Sequence, residues 1–337
     1  MLVSFAIVAY NEERSLPRLL DDLVRQDYPH EKIEVLLIDS MSTDATASIM
    51  RDFQKTAVDF QAVRLLKNEK KTLPCGCNVM LENAAGDAIV RVDAHASIPS
   101  DFIRAGVRVL EEGEYISGGQ VSSVCTDDTA LARTLLSVEN SAFGGGPARF
   151  RRATRREYVS TMAFAFYRRE VFAAAGPYNE NLARTEDNDM SYRIRRAGFR
   201  FCCDPSITST RFNRSTLGGM LRQKYLNGYW IGKTMGINPR CFSVYHFVPF
   251  LFVLGIVFTA ALAAAGHPFL MGLMWLAYAL AVLAASAAEI AGRRFAASDL
   301  LMPFLFLLLH LSYGAGTLVG LIEMPFWVRG LKRKEKR

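Results

Sequence analysis

The chain has 337 residues, half of them apolar, and a formal net charge of +7. That length allows two or three structural units with a sizeable core. The basic clusters stand beside long apolar runs and no nucleic-acid-binding motif accompanies them, which favours anionic lipid headgroups and argues against nucleic acid as a partner.

Leu2 to Tyr10 is a short apolar run ending at a polar turn, the pattern of a buried parallel strand. It is too short for a signal peptide, and Asn11-Glu12-Glu13 follows at once. Ser15 to Gln26 repeats leucines at helical spacing (16, 19, 20, 23), with Ser15 available as cap and Pro17 in the first turn. A strand from Ile33 to Ile38 ends in Asp39, and a helix over Ser42–Phe53 follows. Val63–Lys67 reads as a third strand, Gly76–Ala85 as a helix, and Ala88–Val92 as a fourth strand ending in Asp93. This alternation predicts an α/β fold with a mostly parallel sheet flanked by helices. Ligands of such sheets bind outside the carboxyl ends of the strands, so Asn11, Glu12, Asp39 and Asp93 are expected on one rim. Later come a strand over Tyr158–Tyr167, a short helix over Arg169–Gly176, and a helix over Thr185–Gly198 that opens with three acids.

Ser215 to Gly236 mixes Leu, Tyr, Trp, Arg and Lys, as a helix at a membrane surface does. No Asp, Glu, Lys or Arg occurs from Val244 to Ala288, nor from Leu300 to Ile322. About 20 residues span a bilayer's hydrocarbon, so the first stretch fits two helices joined near Gly266-His267-Pro268. The expected organisation is a catalytic domain over 1–214, an amphipathic interfacial segment over 215–242, a membrane region over 243–322 and a basic tail over 323–337. The membrane helices are expected near 244–265, 268–289 and 300–322. Arg293-Arg294 and the basic tail both favour the cytoplasmic side. Three full spans cannot place the catalytic domain and the tail together there. Either one segment is re-entrant or interfacial, with Leu300–Ile322 (Pro303, His310, Gly314, Gly316, Gly320) the least regular and so the expected one, or the tail defies the charge rule. The six cysteines have neither disulfide-framework nor zinc-site spacing and read as reduced thiols.

Three constellations carry candidate chemistry. Asp93-Ala94-His95 at a strand end can hold a divalent cation bridging a diphosphate, although a strand-ending Asp also caps turns. Thr185-Glu186-Asp187-Asn188-Asp189 suits a helix N-terminus, yet three acids in four residues repel one another, and one facing the rim could accept a proton from an attacking hydroxyl. Five arginines between Arg149 and Arg156, after Gly144-Gly145-Gly146, form either a solvated flexible loop or a mobile phosphate-neutralising arm.

Together these residues resemble family 2 glycosyltransferases of the Rossmann-like GT-A fold, over roughly residues 3–240, and the bacterial exopolysaccharide (succinoglycan-type) membrane glucosyltransferases in particular. Ala9-Tyr10-Asn11-Glu12-Glu13 matches the opening motif, and Leu37 to Asp44, containing Asp39, the second nucleotide-binding element. Asn68 with Gly76 and Asn78 is similar to the third loop, Gly86-Asp87 plus Asp93-Ala94-His95 to the metal-binding strand end, and Glu186-Asp187 to the acceptor-side acid pair. The resemblance implies nucleotide binding through Ala9, Tyr10, Glu12, Asp39, Asn68, Gly76, Asn78 and Asp93. It implies Mg2+ or Mn2+ on Asp93 and His95, and Asp187 as the base beside Glu186. The implied reaction is an inverting displacement from a UDP-hexose onto a lipid-linked (polyprenyl-pyrophosphate) acceptor, in a multi-pass protein of the inner (cytoplasmic) membrane with its catalytic domain in the cytoplasm. His95 departs from the family's usual second acid, and Arg222-Gln223 with Trp230, as acceptor or phosphate contacts, only echo the Gln-x-x-Arg-Trp of homopolymer synthases, which favours single transfer. A transport component with a nucleotide-binding domain would need ionisable residues inside the spans, where only His246 and His310 stand. A dinucleotide-dependent oxidoreductase would need Gly-x-Gly-x-x-Gly where Tyr10 to Glu13 stands.

Overall fold

The structure, a computed structural model, describes residues 1–146, 150, 153–213, 216–291 and 293–334. The chain divides into two compact units, residues 1–123 with 149–212, and residues 124–148 with 213–337.

The first unit is built on a nine-stranded mixed sheet among the described residues. β1 (Val3–Ala9) and β2 (Ile33–Asp39) are buried almost throughout, as strands covered on both faces must be. α1 (Leu16–Val24) turns its leucine stripe (16, 19, 20, 23) to the core. α2 (Thr46–Thr56), β3 (Ala62–Lys67), α3 (Leu73–Asn83) and β4 (Ala88–Arg91) continue the alternation. Order β3-β2-β1-β4 is parallel throughout, with Ala9 opposite Asp39, Asp39 opposite Lys67 and Ala6 opposite Arg91. In-register ends gather the residues after β1, β2, β3 and β4 on one rim, where the sequence pattern puts them.

The parallel arrangement stops there. β5 (Ala96–Ser97), α4 (Phe102–Glu111) and β6 (Ile116–Cys125) follow, then α5 (Ala130–Asn140) and α6 (Ala142–Gly145) of the second unit. β7 (Glu157–Val159), β8 (Phe166–Arg168), α7 (Arg169–Ala175), α8 (Glu186–Arg196) and β9 (Phe201–Asn213) complete the first. β8 runs antiparallel to β4 and β6, and β9 antiparallel to β5 and β7. The far ends of β6 and β9 are partly exposed, which antiparallel strands tolerate and parallel ones rarely do. The single strand expected over Tyr158–Tyr167 is two short ones, β7 and β8, separated by a bend in which Phe164 takes φ +52°.

In the second unit α9 (Leu217–Thr234), α10 (Val248–Ala264), α11 (Phe269–Ala291) and α12 (Met302–Lys334) pack with α5 and α6. Leu135, Val138, Met220, Val282, Met302, Leu305, Phe306 and Leu309 form its core. α9 and α12 run parallel in backbone contact: a Cβ on Gly228 or Gly232 of α9 would strike the α12 backbone, and one on Gly316 or Gly320 of α12 the carbonyls of Tyr225 or Tyr229. α9, expected as a helix at a membrane surface, is half of a tight helix pair. His310 links three elements, with its Nδ1 2.9 Å from the Tyr278 hydroxyl on α11 and its Nε2 2.9 Å from the Phe143 carbonyl of α6.

Among the described residues three helices are long and apolar enough to cross a membrane, within Val244–Ala264, Phe269–Ala291 and Ala297–Arg333. Their surroundings differ. Only 6% and 11% of the first two apolar windows are buried, against 44% of the third. α12 is one continuous helix, with Pro303 in its first turn and Gly314, Gly316 and Gly320 at close backbone contacts with α10 and α9. It also runs on to Lys334, so Arg329 to Lys334 extend that helix rather than forming a separate tail; residues 335–337 lie outside the described residues.

Candidate active site

The residues after β1 are held by those after β2. The Asn11 amide donates to Ser42 Oγ at 3.1 Å, the Thr43 amide to Asn11 Oδ1 at 2.8 Å, and the Glu12 amide to Thr46 Oγ1 at 2.7 Å. Asn11 takes φ +54°, a conformation that asparagine accepts better than most residues. Asp39 is buried at the end of β2, where its Oδ1 accepts from the Ser42 amide at 3.0 Å. Tyr10 is left half exposed beside this loop pair, a ring free for a planar ligand to stack on.

Glu12, Asp93 and His95 come together. His95 Nδ1 lies 3.2 Å from Glu12 Oε1, and Ser15 Oγ also donates to Glu12. Burial pushes the Glu12 carboxyl up, but the His95 and Ser15 hydrogen bonds outweigh it, so Glu12 titrates below its ordinary value. The Glu12 hydrogen bond raises the His95 pKa against the opposing effect of burial. Asp93 is flanked by two guanidinium groups, Arg211 at 2.8 Å and Arg91 at 3.9 Å. Their charges overcome its desolvation and hold it below the ordinary carboxylate range.

Arg91 ties this cluster to the acid pair at the start of α8. Its Nη2 is 3.5 Å from Asp187 Oδ2, and its Nη1 donates to Cys77 Sγ at 3.0 Å. Asp187 is more than half exposed. Glu186, one residue earlier and about 100° round the helix, is 4% exposed, and its Oε2 has no partner among the described residues. Desolvation, then the neighbouring Asp187 charge, push the Glu186 carboxyl up to about 8. The two carboxyls of the pair therefore differ: burial disfavours the charged form of Glu186, while Asp187 stands exposed beside Arg91. Asp189 points elsewhere, 2.9 Å from Arg193.

Other motif residues are committed to the fold. Asn68 is buried and donates to Ser40 Oγ at 2.9 Å and to the Thr72 carbonyl at 2.8 Å. Both ends of the Asn78 amide clasp the Tyr178 backbone. Gly76 lets α3 close on β1, since a Cβ there would meet Val8. Ala9 is the buried last residue of β1. Arg222, Gln223 and Trp230 lie on α9 in the second unit; the first two are exposed, and Trp230 stands edge-on to Trp327 with centroids 5.9 Å apart. Of the arginine run, Arg149, Arg151 and Arg152 lie outside the described residues, and Arg156 is engaged by Glu112 and Asp204, both at 2.6 Å. Gly144 and Gly145 of the expected flexible loop belong to α6, capped by the Ser141 hydroxyl.

Sequence reasoning missed Arg91 and Arg211. Arg91 left a signal: it interrupts an apolar strand two residues before Asp93, and a period of two puts both side chains on one face. Arg211 left none, because only the pairing of Ala96 with Arg211 between β5 and β9 brings it to Asp93.

Asp93 and His95 suit a cation of the Mn2+ class, a carboxylate beside an imidazole. No group of three Asp, Glu, His or Cys side chains is placed to hold an ion among the described residues, so phosphate or water oxygens would complete its shell.

Residues 4–176, just over half of the chain, match the family model of glycosyl transferase family 2. Among curated relatives, the dolichyl N-acetyl-alpha-D-glucosaminyl phosphate 3-beta-D-2,3-diacetamido-2,3-dideoxy-beta-D-glucuronosyltransferase of Methanococcus voltae is 25% identical over 271 residues, 77% of this chain and 82% of that protein. The succinoglycan biosynthesis protein ExoA of Rhizobium meliloti is 27% identical over 233 residues, 67% of each. Among solved structures, the mannosyltransferase PcManGT from Pyrobaculum calidifontis, in complex with GDP-Man and Mn2+, aligns with a TM-score of 0.58 at 21% identity, covering 94% of this chain and 87% of that one. At that identity the likeness speaks for the GT-A fold.

Proposed function

The chain belongs to glycosyltransferase family 2, and on that premise we propose that it moves one sugar from a UDP-hexose to a lipid-linked acceptor, with inversion at the anomeric carbon. The observation that carries this reading is the asymmetry of the acid pair, Asp187 exposed beside Arg91 and Glu186 buried, where its charged form is disfavoured. A single displacement needs one base for the acceptor hydroxyl and no protein nucleophile, and this pair would offer one charged carboxylate. Asp187 would take the hydroxyl proton while the acceptor oxygen attacks from the face opposite the leaving diphosphate. Arg91, 3.5 Å away, would hold the carboxylate in place. Tyr10, Glu12 and Asp39 would receive the nucleoside, with Tyr10 stacking on the base.

A divalent cation, if held by Asp93 and His95, would offset the charge that grows on the diphosphate as the sugar–phosphate bond breaks. The curated relatives' names support a polyprenyl-type acceptor, one being a dolichyl phosphate sugar enzyme and another a succinoglycan biosynthesis protein.

In this reading the first unit, residues 1–123 with 149–212 rather than an unbroken 1–214, is catalytic, and the apolar hairpin of α10 and α11 is the part that crosses the membrane, because lipid has to cover surface that protein does not. α12, whose apolar window is 44% buried against 6% and 11% for the other two, needs lipid least and is not counted as a crossing. An even number of crossings then leaves Arg293 and Arg329 to Lys334 on the cytoplasmic side, in keeping with their charge.

The test is purified full-length protein in detergent, offered a panel of UDP- and GDP-sugars with polyprenyl-pyrophosphate acceptors. Glycolipid product with inverted anomeric configuration by NMR is expected. Retention of configuration, or transfer from GDP-sugars alone, would overturn the proposal.

A further inference from the structure

Arg211 is placed as no motif requires. It sits opposite Ala96 in the β5–β9 pairing, and the amide of the next residue, Phe212, donates to the His95 carbonyl at 2.9 Å. The backbone therefore fixes it beside the Asp93-Ala94-His95 turn. Its Nη2 donates to Asp93 Oδ2 at 2.8 Å, and its guanidinium lies 5.0 Å from the Phe164 ring centre. The Nε donor is buried and has no partner among the described residues. Arg91, the other guanidinium at Asp93, has its nitrogens on Cys77, Asp187 and Asp93. Of the two, Arg211 makes the single close ion pair and keeps an unmet donor.

We propose that Arg211 is a resident cation of the Asp93 carboxylate, which competes with a divalent cation for that carboxylate and passes to the donor's diphosphate when the cation takes its place. The inference rests on the reading that a nucleotide sugar binds at this rim. A guanidinium 2.8 Å from Asp93 Oδ2 repels a divalent cation approaching the same carboxylate and takes up one of its acceptor sites. A diphosphate offers Arg211 what Asp93 does not, a second acceptor for its fork, and reorientation toward it would also give the Nε donor a partner. The exchange conserves local charge: the carboxylate keeps a cation, and the diphosphate gains one.

The competition is tested without turnover. Mn2+ binding to full-length protein in detergent is followed by the paramagnetic resonance of free Mn2+ in the absence of nucleotide. Binding of UDP and GDP is followed by calorimetry in EDTA. Arg211→Met should bind Mn2+ at least about tenfold more tightly than the wild type, the low end of what a neighbouring charge does to a carboxylate's occupancy. In EDTA the same variant should bind the nucleoside diphosphate more weakly by a similar factor. Equal or weaker Mn2+ binding overturns the competition, and unchanged nucleotide binding in EDTA overturns the transfer to the diphosphate. Should Arg211→Met not fold, Asp93→Asn tests the reciprocal: freeing Arg211 should tighten UDP or GDP binding in EDTA, and weaker binding refutes it. If neither nucleotide binds the wild type even with Mn2+, the donor reading itself fails and the transfer with it, while the Mn2+ measurement still decides the competition for Asp93.

Discussion

Replacing Glu186 by glutamine should make the protein more stable at alkaline pH and change it little in acid. The Glu186 carboxyl rises from an ordinary 4.5 to about 8 because it is desolvated and stands beside Asp187. Below pH 4.5 the folded and unfolded chains both carry the proton, and the group imposes no penalty. Between 4.5 and 8 the unfolded chain ionises while the folded one does not, so stability falls as pH rises and levels off above 8. At about 1.4 kcal/mol per pH unit the full penalty is of order 5 kcal/mol. The amide of Glu186→Gln ionises in neither state and escapes it. For a unit of this size a kcal/mol moves the thermal midpoint by at least ~2 °C, so the gap between variant and wild type should open by about 10 °C from pH 5 to pH 8. The assay is thermal unfolding of the detergent-solubilised proteins at a series of pH values. A gap that stays flat across that window would show that Glu186 is ionised in the folded protein, and the case for a single charged carboxylate would go with it.

Asp187→Asn keeps shape and removes basicity; turnover should fall by at least about a hundredfold with nucleotide binding nearly unchanged, whereas Asp189→Asn should be mild. Lost donor affinity at unchanged turnover would shift the base to another residue. Asp93→Ala, or excess EDTA, should abolish transfer without unfolding the protein, and undiminished turnover in EDTA would remove the metal from the scheme. The exposed apolar hairpin of α10 and α11 should hold the full-length chain in the membrane fraction through an alkaline carbonate wash, and full recovery in the supernatant would refute it.

The parallel half of the sheet was legible because each of its strands is a compact apolar run closed by a polar turn, and a helical leucine stripe follows the first. The antiparallel half was not. β8 has three residues, β7 has three, and β9 carries Asp204, Ser209 and Arg211 among its apolar residues. Such strands are defined by partners distant in sequence rather than by their own periodicity. α12 looked irregular in sequence for a different reason. Pro303 and three glycines look like defects in an isolated helix; in contact with α9 and α10 the glycines are what allow the backbones to approach.

The same division holds at the rim. Asp39, Asp93 and Glu12 could be read because each ends or follows a strand of the parallel half, so position along the chain translates directly into position in space. Asn68, Gly76 and Asn78 stood in the same motif register, yet Asn68 and Asn78 spend their hydrogen bonds holding loops and Gly76 serves packing. A motif's spacing identifies the residues that build a site without separating those that face the ligand from those that support it. The charges show this most clearly. Counted from sequence alone, Glu12, Asp93, Glu186 and Asp187 are four acids that would repel one another. In the folded chain Glu12 is matched by His95, Asp93 by Arg211 and Arg91, and burial disfavours the charged form of Glu186, which leaves Asp187 as the most exposed of the four. The Arg91 contact can be read from the strand's own alternation; the Arg211 contact comes from strand pairing and the Glu186 shift from burial, which local sequence does not encode. Selecting Asp187 from the sequence therefore required resemblance, whereas the structure supports the proposal by a separate route, its exposure beside the buried Glu186.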